Sequence, residues 1–583
     1  MITLDPVQPT ERTIRKRFGF LTLALLSIAT AAIGTVGFTQ CESPTTHKLN
    51  TLANSFFLSL RLFSLATCVV EGPVPWLLQI ARFLAPALTF TVTVKTLAGI
   101  FRSEKRAFRL ARSRGHIVIC GAGAKASALI RDYCNKHQRV VVIDLKATQS
   151  LPDVTGRADL FAISGDAACE DTLKLARAER AERVFITTGN DSANIEIAAG
   201  LIRHCKSSKS QTGRVACHVH LVDLQTEELF KRHRIFKDAA DRVDMHTFNV
   251  YDNTARLFWR ERLLACGPIS RDDTRRLHVV IGGLGQMGEA ILLRLVRSAH
   301  YANGLKPVVT VFDLKAEACK ERLLERYPAL SRLCDLAVVN ADLSHPRTAT
   351  QIASVLAEPG QLGAVVFCLK DDYANFAVAL RLAPHLKAPT SPIFIRLSRA
   401  SGLNELLQAE HSEAALARQI DGFGLTCVCC THELVLTDQL SKTAHAIHDT
   451  YRADQLAAGK PASGASGQPW ATLDESFRQS NREQAEHLEL KLRTYGYSAA
   501  NADKCPPNTF DETQIEVLGR MEHARWCAER ELAGWTYAPE PKNPERRTSP
   551  DLVPWERLTP EARNKDFACV VAIPRILATS KTI

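Results

Sequence analysis

A chain of 583 residues with a 46% apolar share has length for three or four domains and leaves no room for a large disordered fraction. Its formal charge of +11 is modest for that length and clusters beside an apolar N-terminal region, which points to a membrane surface as partner and away from nucleic acid. The 17 cysteines are an odd set without framework spacing, and Cys120, Cys217 and Cys368 fall inside expected strands or helices, so reduced thiols in a cytosolic compartment are expected.

Residues 18–38 run for 21 positions without a charge, enough to cross a bilayer as a helix. Arg12, Arg15, Lys16 and Arg17 precede them and place the N-terminus on the cytoplasmic side. A cleaved signal peptide is the rival reading, but it would export many free thiols and two nucleotide-type folds. A second span is expected at about 76–101, interrupted by Arg82 and Lys95, with a basic flank over 102–114 that returns the chain to the cytoplasm. Region 1–114 therefore reads as a multi-pass unit of the cell inner membrane with both termini cytoplasmic.

Between the spans, 49–70 is apolar apart from Arg61 and reads as a re-entrant helix before Glu71-Gly-Pro-Val-Pro75. Potassium channels are built from two spans around such a helix. The filter expected after it, Thr-x-Gly-Tyr/Phe-Gly, is missing, and Thr35-Val-Gly-Phe38 merely ends the first span. Glu71 has two readings: a pore-entrance carboxylate that attracts cations, or a solvated loop acid between two anchors. Two spans cannot enclose a pore alone, so a homo-oligomer such as a tetramer is expected.

A buried-type strand, His116-Ile-Val-Ile-Cys120, then meets Gly121-Ala-Gly123-Ala-Lys-Ala126, and the next apolar strand ends at Asp144. Such a turn brings backbone N–H groups against a pyrophosphate, while the helix N-terminus that follows favours negative charge. The pattern recurs as Leu277-His-Val-Val-Ile281, Gly283-Leu-Gly285-Gln-Met-Gly288 and Asp313. Two further pairs keep the order: Gly165-Asp166 with Ala341-Asp342, and Asp191-Ser-Ala-Asn194 with Asp372-Tyr-Ala-Asn375. Offsets of 162 to 181 residues make the copies whole domains, 115–265 and 275–435, and strands alternating with helices imply tandem doubly wound parallel α/β sheets. Asp144 suits a ribose 2′-OH, which favours NAD or another adenosine nucleotide over NADP. The second copy spaces its glycine and acid 30 positions apart against 23 in the first, and lacks the glycine before Asp342, so it is the weaker site.

This order of motifs resembles the regulator of potassium conductance (RCK) domain, a fold shared with the nucleotide-binding subunits of Trk-type potassium uptake systems. The resemblance covers about 115–420. It implies a dinucleotide or adenosine pocket lined by Gly121, Gly123, Asp144 and Asp166, and a crossover helix at 248–256 through which such domains pair. Cys427-Val-Cys429-Cys430-Thr-His432 invites a metal, but no second cysteine pair stands nearby, and a buried strand of small thiols is expected instead. His218 and His220 alternate on one strand face and read as ordinary sheet residues. No metal is expected.

Beyond a Gly/Ala/Pro/Ser stretch at 457–469, the apolar positions Ile515, Leu518, Met521, Ala524 and Leu532 describe an amphipathic helix stopping at Gly534. Met521-Glu-His-Ala-Arg-Trp526, Gly534-Trp-Thr-Tyr537 and Asp551-Leu-Val-Pro-Trp555 make 440–577 resemble the mainly α RyR domain, named from ryanodine receptors. The resemblance implies a sensor for a small nucleotide-like ligand, with Trp526, Trp535 and Trp555 to stack a base and Arg525 and Arg530 to hold phosphate. The alternative is that the tryptophans form the domain core and the arginines pair with Glu522 or Glu529.

No Gly-x-Ser-x-Gly, Walker lysine loop or His-Glu-x-x-His is present, so no catalytic residues and no enzyme are expected. Three functions remain: a nucleotide-sensing, ion-channel-like or transport-regulating membrane protein; a membrane-anchored nucleotide sensor of a defence or stress system that does not conduct; and, behind both, an NAD-dependent oxidoreductase.

Overall fold

The computed structural model describes residues 11–40, 48–64, 74–147, 159–208, 213–223, 226, 230, 233, 241–262, 268–357, 361–386, 391–398, 402, 420–431, 442–459, 464–499, 506 and 509–582. The N-terminal region is three helices, Glu11–Thr39, Lys48–Phe63 and Trp76–Ala111, each packed on the other two. Stretches Thr22–Thr39 and Trp76–Leu97 are long and apolar enough to cross a membrane. Small residues set their spacing. A Cβ on Gly34 would fall 2.4 Å from Ser59 Oγ, and one on Gly37 2.7 Å from the Leu78 nitrogen. Ser59 donates to the Ala31 carbonyl at 2.7 Å, so the middle helix is hydrogen-bonded to the first. Leu78, Ala81 and Ala85 bury against Phe38 and Leu62, whereas Ile28, Phe83 and Phe90 stay 67, 78 and 71% exposed on the outer face. An apolar surface of that extent suits lipid or a neighbouring chain rather than water.

The expected re-entrant segment corresponds to Lys48–Phe63; residues 65–73, Glu71 among them, lie outside the described residues. The second long helix runs ten residues past the expected end of its span, to Ala111. Its 36 residues measure about 54 Å at 1.5 Å each. Gly115, at φ +62°, then turns the chain, and Arg139 donates to the buried Ser113 hydroxyl at 2.9 Å, tying the helix end to the sheet that follows.

That sheet has strands β1 Ile117–Cys120, β2 Val140–Asp144, β3 Leu160–Ser164, β4 Arg183–Ile186, β5 Val215–His220 and β6 Val243–Phe248, all parallel in the order β3-β2-β1-β4-β5-β6. The second sheet, β7 Arg276–Gly282, β8 Val308–Asp313, β9 Asp335–Asn340, β10 Gln361–Phe367, β11 Ile393–Arg396 and β12 Ile420–Phe423, repeats this as β9-β8-β7-β10-β11-β12. Both are the doubly wound arrangement of a dinucleotide fold, whose crevice opens where the winding reverses, beyond β1 and β4 or β7 and β10.

The Val250–Arg262 helix joins the halves. Phe258 packs among Trp259, Phe394 and Phe423, and the Trp259 indole donates to the Ile291 carbonyl at 2.9 Å, so this helix leaves the first sheet and buries itself in the second half. The C-terminal region is helical: Lys442–Ala457, Glu475–Thr494, Glu512–Leu532, Pro560–Val571 and Ile573–Thr582, with a two-residue parallel ladder between Thr536–Tyr537 and Thr548–Ser549. Asp511 and Gln514 form a capping box that starts the central helix, and Gly534 at φ +78° lies just past its end. Leu488, Leu492, Leu518 and Met521 share one core with Ile291, Leu295 and Val296. This region is therefore fused to the second half. A buried charge cluster seals the seam: Glu486 meets both Arg256 and Arg294, and Glu483 lies 3.4 Å from Arg294 and from Arg297.

Candidate nucleotide-binding site

In the first half Gly121 sits at φ +106°, a conformation only glycine adopts readily, and its N–H donates to the Ile143 carbonyl at 2.7 Å. A Cβ there would lie 3.3 Å from the Thr187 carbonyl, so the turn is pressed between the ends of β2 and β4. Gly123 caps the Ala124–Asn135 helix with no side-chain cap and no acid in the first turn. Nothing stands within 4 Å of where its Cβ would be, which leaves the helix N-terminus open to an anion. Ala126 is buried behind the turn. Asp144 closes the lip: one oxygen accepts from the Ala122 N–H and the other from the Lys146 N–H, both at 2.9 Å. Each oxygen keeps a lone pair for a ribose hydroxyl. Asp166 is exposed at the end of β3, one strand further out, and accepts from the Ala168 N–H at 2.9 Å.

The second half repeats the backbone bonds of the cradle, although its helix carries Glu289 in the first turn, where the first helix has no acid. Gly283 has φ +92° and donates to the Phe312 carbonyl at 2.8 Å; Asp313 accepts from the Leu284 and Lys315 N–H groups at 2.9 Å; Gly285 caps its helix over open space. The longer glycine-to-acid spacing goes mainly into the connection 299–307, at the far end of the sheet from the glycine turn. Gly288 differs from its counterpart Ala126 in one respect. A Cβ on it would fall 2.1 Å from the Gly283 carbonyl oxygen, so the second helix lies closer to its turn than a methyl permits.

The repeated Asp-x-x-Asn pairs are clamps within each sheet. Asp191 accepts from the Val222 and Asp223 N–H groups, and buried Asn194 bridges the Thr188 N–H and the His220 carbonyl. Asp372 holds Ser398, and Asn375 spans Leu369 and the Arg396 carbonyl. Each ties the ends of two neighbouring strands together beside the crevice.

Lys125, inside the first glycine motif, was not distinguished by sequence because the motif is defined by its glycines. Its ammonium lies 3.4 Å from both ring nitrogens of His220. Burial holds this amine below its ordinary range, and burial together with Lys125 pushes His220 down to about 3, so the imidazole is neutral. His218, two residues earlier, is stacked near Phe185 and His246 at 5.1 and 4.9 Å, an ordinary packing role.

The cysteine cluster forms no strand. Thr426–Cys429 is a helical turn packed on the Ala124–Asn135 helix, and Cys430, just past its end, is buried together with Cys429. His432 lies outside the described residues. Among the described residues no group of three or more His, Cys, Asp or Glu is placed to hold a metal.

The C-terminal candidates separate into two groups. Arg525 is 2% exposed and ion-paired at 2.7 Å to both Glu522 and Glu529, with Lys491 also on Glu522. Trp555 is buried, and its indole donates to Glu516 at 3.0 Å. These two belong to the interior, as the core alternative has it. Trp526 is half-buried, stacked 6.0 Å from His523. Arg530 is buried and 3.6 Å from Glu529, as the core alternative has it for an arginine, but it also lies 5.2 Å over the half-buried Trp535 ring; exposed Lys542 lies 5.4 Å over the same ring, so a small cationic aromatic face remains at Trp535 and Lys542.

His523 gives a pH prediction. Burial opposes its charge, but hydrogen bonds to Asp566 (3.3 Å), Cys527 and the Val553 carbonyl outweigh burial and lift it to about 10. A folded value above the unfolded value of about 6.5 contributes stability in full below that pH and loses it as pH rises through about 10. Thermal melts of the whole protein should therefore show the transition that includes the C-terminal region falling between pH 6.5 and 10, and His523→Gln should flatten that slope; equal slopes would refute the coupling.

Residues 117–232 match the TrkA-N domain family. An uncharacterised protein of Methanothermus fervidus is 30% identical over 89 residues, 15% of this chain and 14% of that one. The chain thus matches about one-seventh of that relative's length. Among solved structures, ADP-bound GsuK is 16% identical over 72% of this chain and 96% of its own, at a TM-score of 0.38. The NAD-bound GsuK channel is 11% identical over 72% and 83%, at 0.39, and the human SLO3 gating ring 10% identical over 54% and 80%, at 0.36. The fold itself rests on the two strand orders described above rather than on these superpositions.

Proposed function

We propose that this chain is a nucleotide-sensing membrane protein that regulates cation transport, potassium first among candidates, with NAD or another adenosine nucleotide at the 121–126 turn as its ligand. The observation that carries the reading is the Trp76–Ala111 helix. It leaves an apolar span and stays unbroken until five residues before β1, the strand that presents the glycine turn. A continuous helix of that kind, with Pro86 the one proline inside it, links the cradle to the membrane end. For that link to regulate transport, the ligand must bind one arrangement of the cytoplasmic halves more tightly than another.

In this reading the protein sits in the inner membrane with its termini cytoplasmic, contacts lipid through the exposed faces of its N-terminal helices, and assembles as a homo-oligomer, a tetramer being the simplest closed pore. The Trp535 and Lys542 face, backed by buried Arg530, is the place for a second small anionic ligand. No catalytic role is assigned. A second reading, an anchored sensor without conduction, is favoured by the lack of a potassium filter sequence between the spans.

Flux from liposomes carrying the full chain separates the two. Potassium or rubidium efflux that changes several-fold on adding ADP or NAD supports transport control. Nucleotide binding without any efflux supports the anchored sensor. If Glu71 rings a pore entrance, Glu71→Gln should reduce that efflux; unchanged efflux removes the idea.

A further inference from the structure

We propose that Lys125 is the phosphate-sensing residue of the first cradle, held on His220 and Tyr251 when the turn is empty and drawn to phosphate when it is filled. The inference rests on the nucleotide reading of the 121–126 turn and adds to it the ligand's chemical class and the route out of the site.

Lys125 is the second residue of the Ala124–Asn135 helix, so its positive charge stands at the positive end of that helix, and no acid in the first turn offsets it. Its present partners are weak for an ammonium. His220 is 1% exposed and neutral, and the Tyr251 ring lies 5.8 Å away. Asp191, the nearby acid, is already engaged by the Val222 and Asp223 N–H groups. A phosphate over the open helix N-terminus supplies the missing negative charge and a charge-assisted hydrogen bond, stronger than that to a neutral imidazole.

The consequence extends beyond the first half. Tyr251 is in the first turn of the helix that joins the halves, and its ring also lies 6.0 Å from the Arg396 guanidinium at the end of β11. One aromatic ring thus serves a cation from each half. When Lys125 turns to phosphate, Tyr251 loses its cation from the first half and keeps Arg396 and an edge contact with the His220 ring at 6.3 Å, which loosens the start of the joining helix on the first cradle. The effective ligand is therefore a phosphate-bearing adenosine compound, and adenosine alone leaves the contact in place.

The test is calorimetric titration of the full detergent-solubilised chain with ADP and with adenosine, in wild type, Lys125→Met and Lys125→Arg. Expected are ADP binding at least tenfold weaker in Lys125→Met, near-wild-type binding in Lys125→Arg, and adenosine binding unchanged in all three. Hydrogen exchange over 250–262 should change on saturation with ADP in wild type and not in Lys125→Met. Equal ADP affinity in wild type and Lys125→Met overturns this inference and leaves the nucleotide reading standing. Wild type that binds neither compound overturns both. An exchange response that survives in Lys125→Met overturns the route through Tyr251.

Discussion

Gly123→Val is expected to weaken binding of ADP or NAD by at least a hundredfold while lowering the stability of the protein by only about 1 kcal/mol. Gly123 has φ −73° and ψ −175°, extended backbone that any residue adopts, and open space surrounds the position of a Cβ. A valine there meets no neighbour but caps the helix less well than glycine, at a cost of about 1 kcal/mol. The space it fills is the space over the helix N-terminus where a pyrophosphate would sit. A hundredfold loss corresponds to about 2.7 kcal/mol, a moderate figure for displacing several backbone N–H contacts to a charged group. Gly121→Val offers no such separation. Its φ of +106° and the 3.3 Å approach to Thr187 make it a folding defect first. Titration calorimetry with parallel thermal melts reads both quantities. Wild-type affinity in Gly123→Val would move the ligand away from this turn.

Arg525→Met is expected to destabilise the C-terminal region by about 3–5 kcal/mol, the range for breaking a buried ion pair on one side. Lys491 remains to neutralise Glu522, but Glu529 keeps only Arg530 at 3.6 Å and the Ser480 hydroxyl at 3.1 Å, in a place where it is 7% exposed. Burial alone would raise Glu522; Arg525 and Lys491 outweigh it and hold that carboxyl well below the usual range. Its contribution is thus present above about pH 4.3 and fades as the solution is made more acidic. If Arg525 served a ligand instead, the variant would melt like wild type and lose binding. Differential scanning calorimetry of the full chain distinguishes these, with the shared core predicting that the second half loosens together with the C-terminal helices.

How much of this was legible in the residues differs by element. The two doubly wound sheets were, because a glycine turn between an apolar strand and a helix, followed by an acid-ended strand, is a local signature that only one topology satisfies economically. The shared backbone bonding of the two cradles was hidden. Spacing of 30 against 23 hints at a damaged site, whereas the extra residues fall mainly at the opposite end of the sheet. Arg525 and Trp555 were misleading as ligand candidates for a related reason. A helical period tells which face a residue occupies, but not whether a carboxylate from the same helix and a lysine from another wait there. Cys429 and Cys430 were expected in a strand because short apolar runs fit strand and helix alike. The Trp76–Ala111 helix exceeded its apolar stretch because hydropathy marks where lipid is tolerated and is silent on where a helix ends. Fusion of the C-terminal helices to the second half depends on tertiary contacts such as Glu486 with Arg256 and Arg294, for which no local pattern exists.

The central claim is that an adenosine nucleotide with phosphate occupies the cradle built by Gly121, Gly123 and Asp144. Its most direct measurement is calorimetric titration of the full solubilised chain with ADP and NAD, using Asp144→Ala and Gly123→Val as controls. Saturable binding to wild type, weakened in both variants, is the predicted result. Absence of heat and of any thermal shift in wild type with either compound, or binding indifferent to both substitutions, would contradict it.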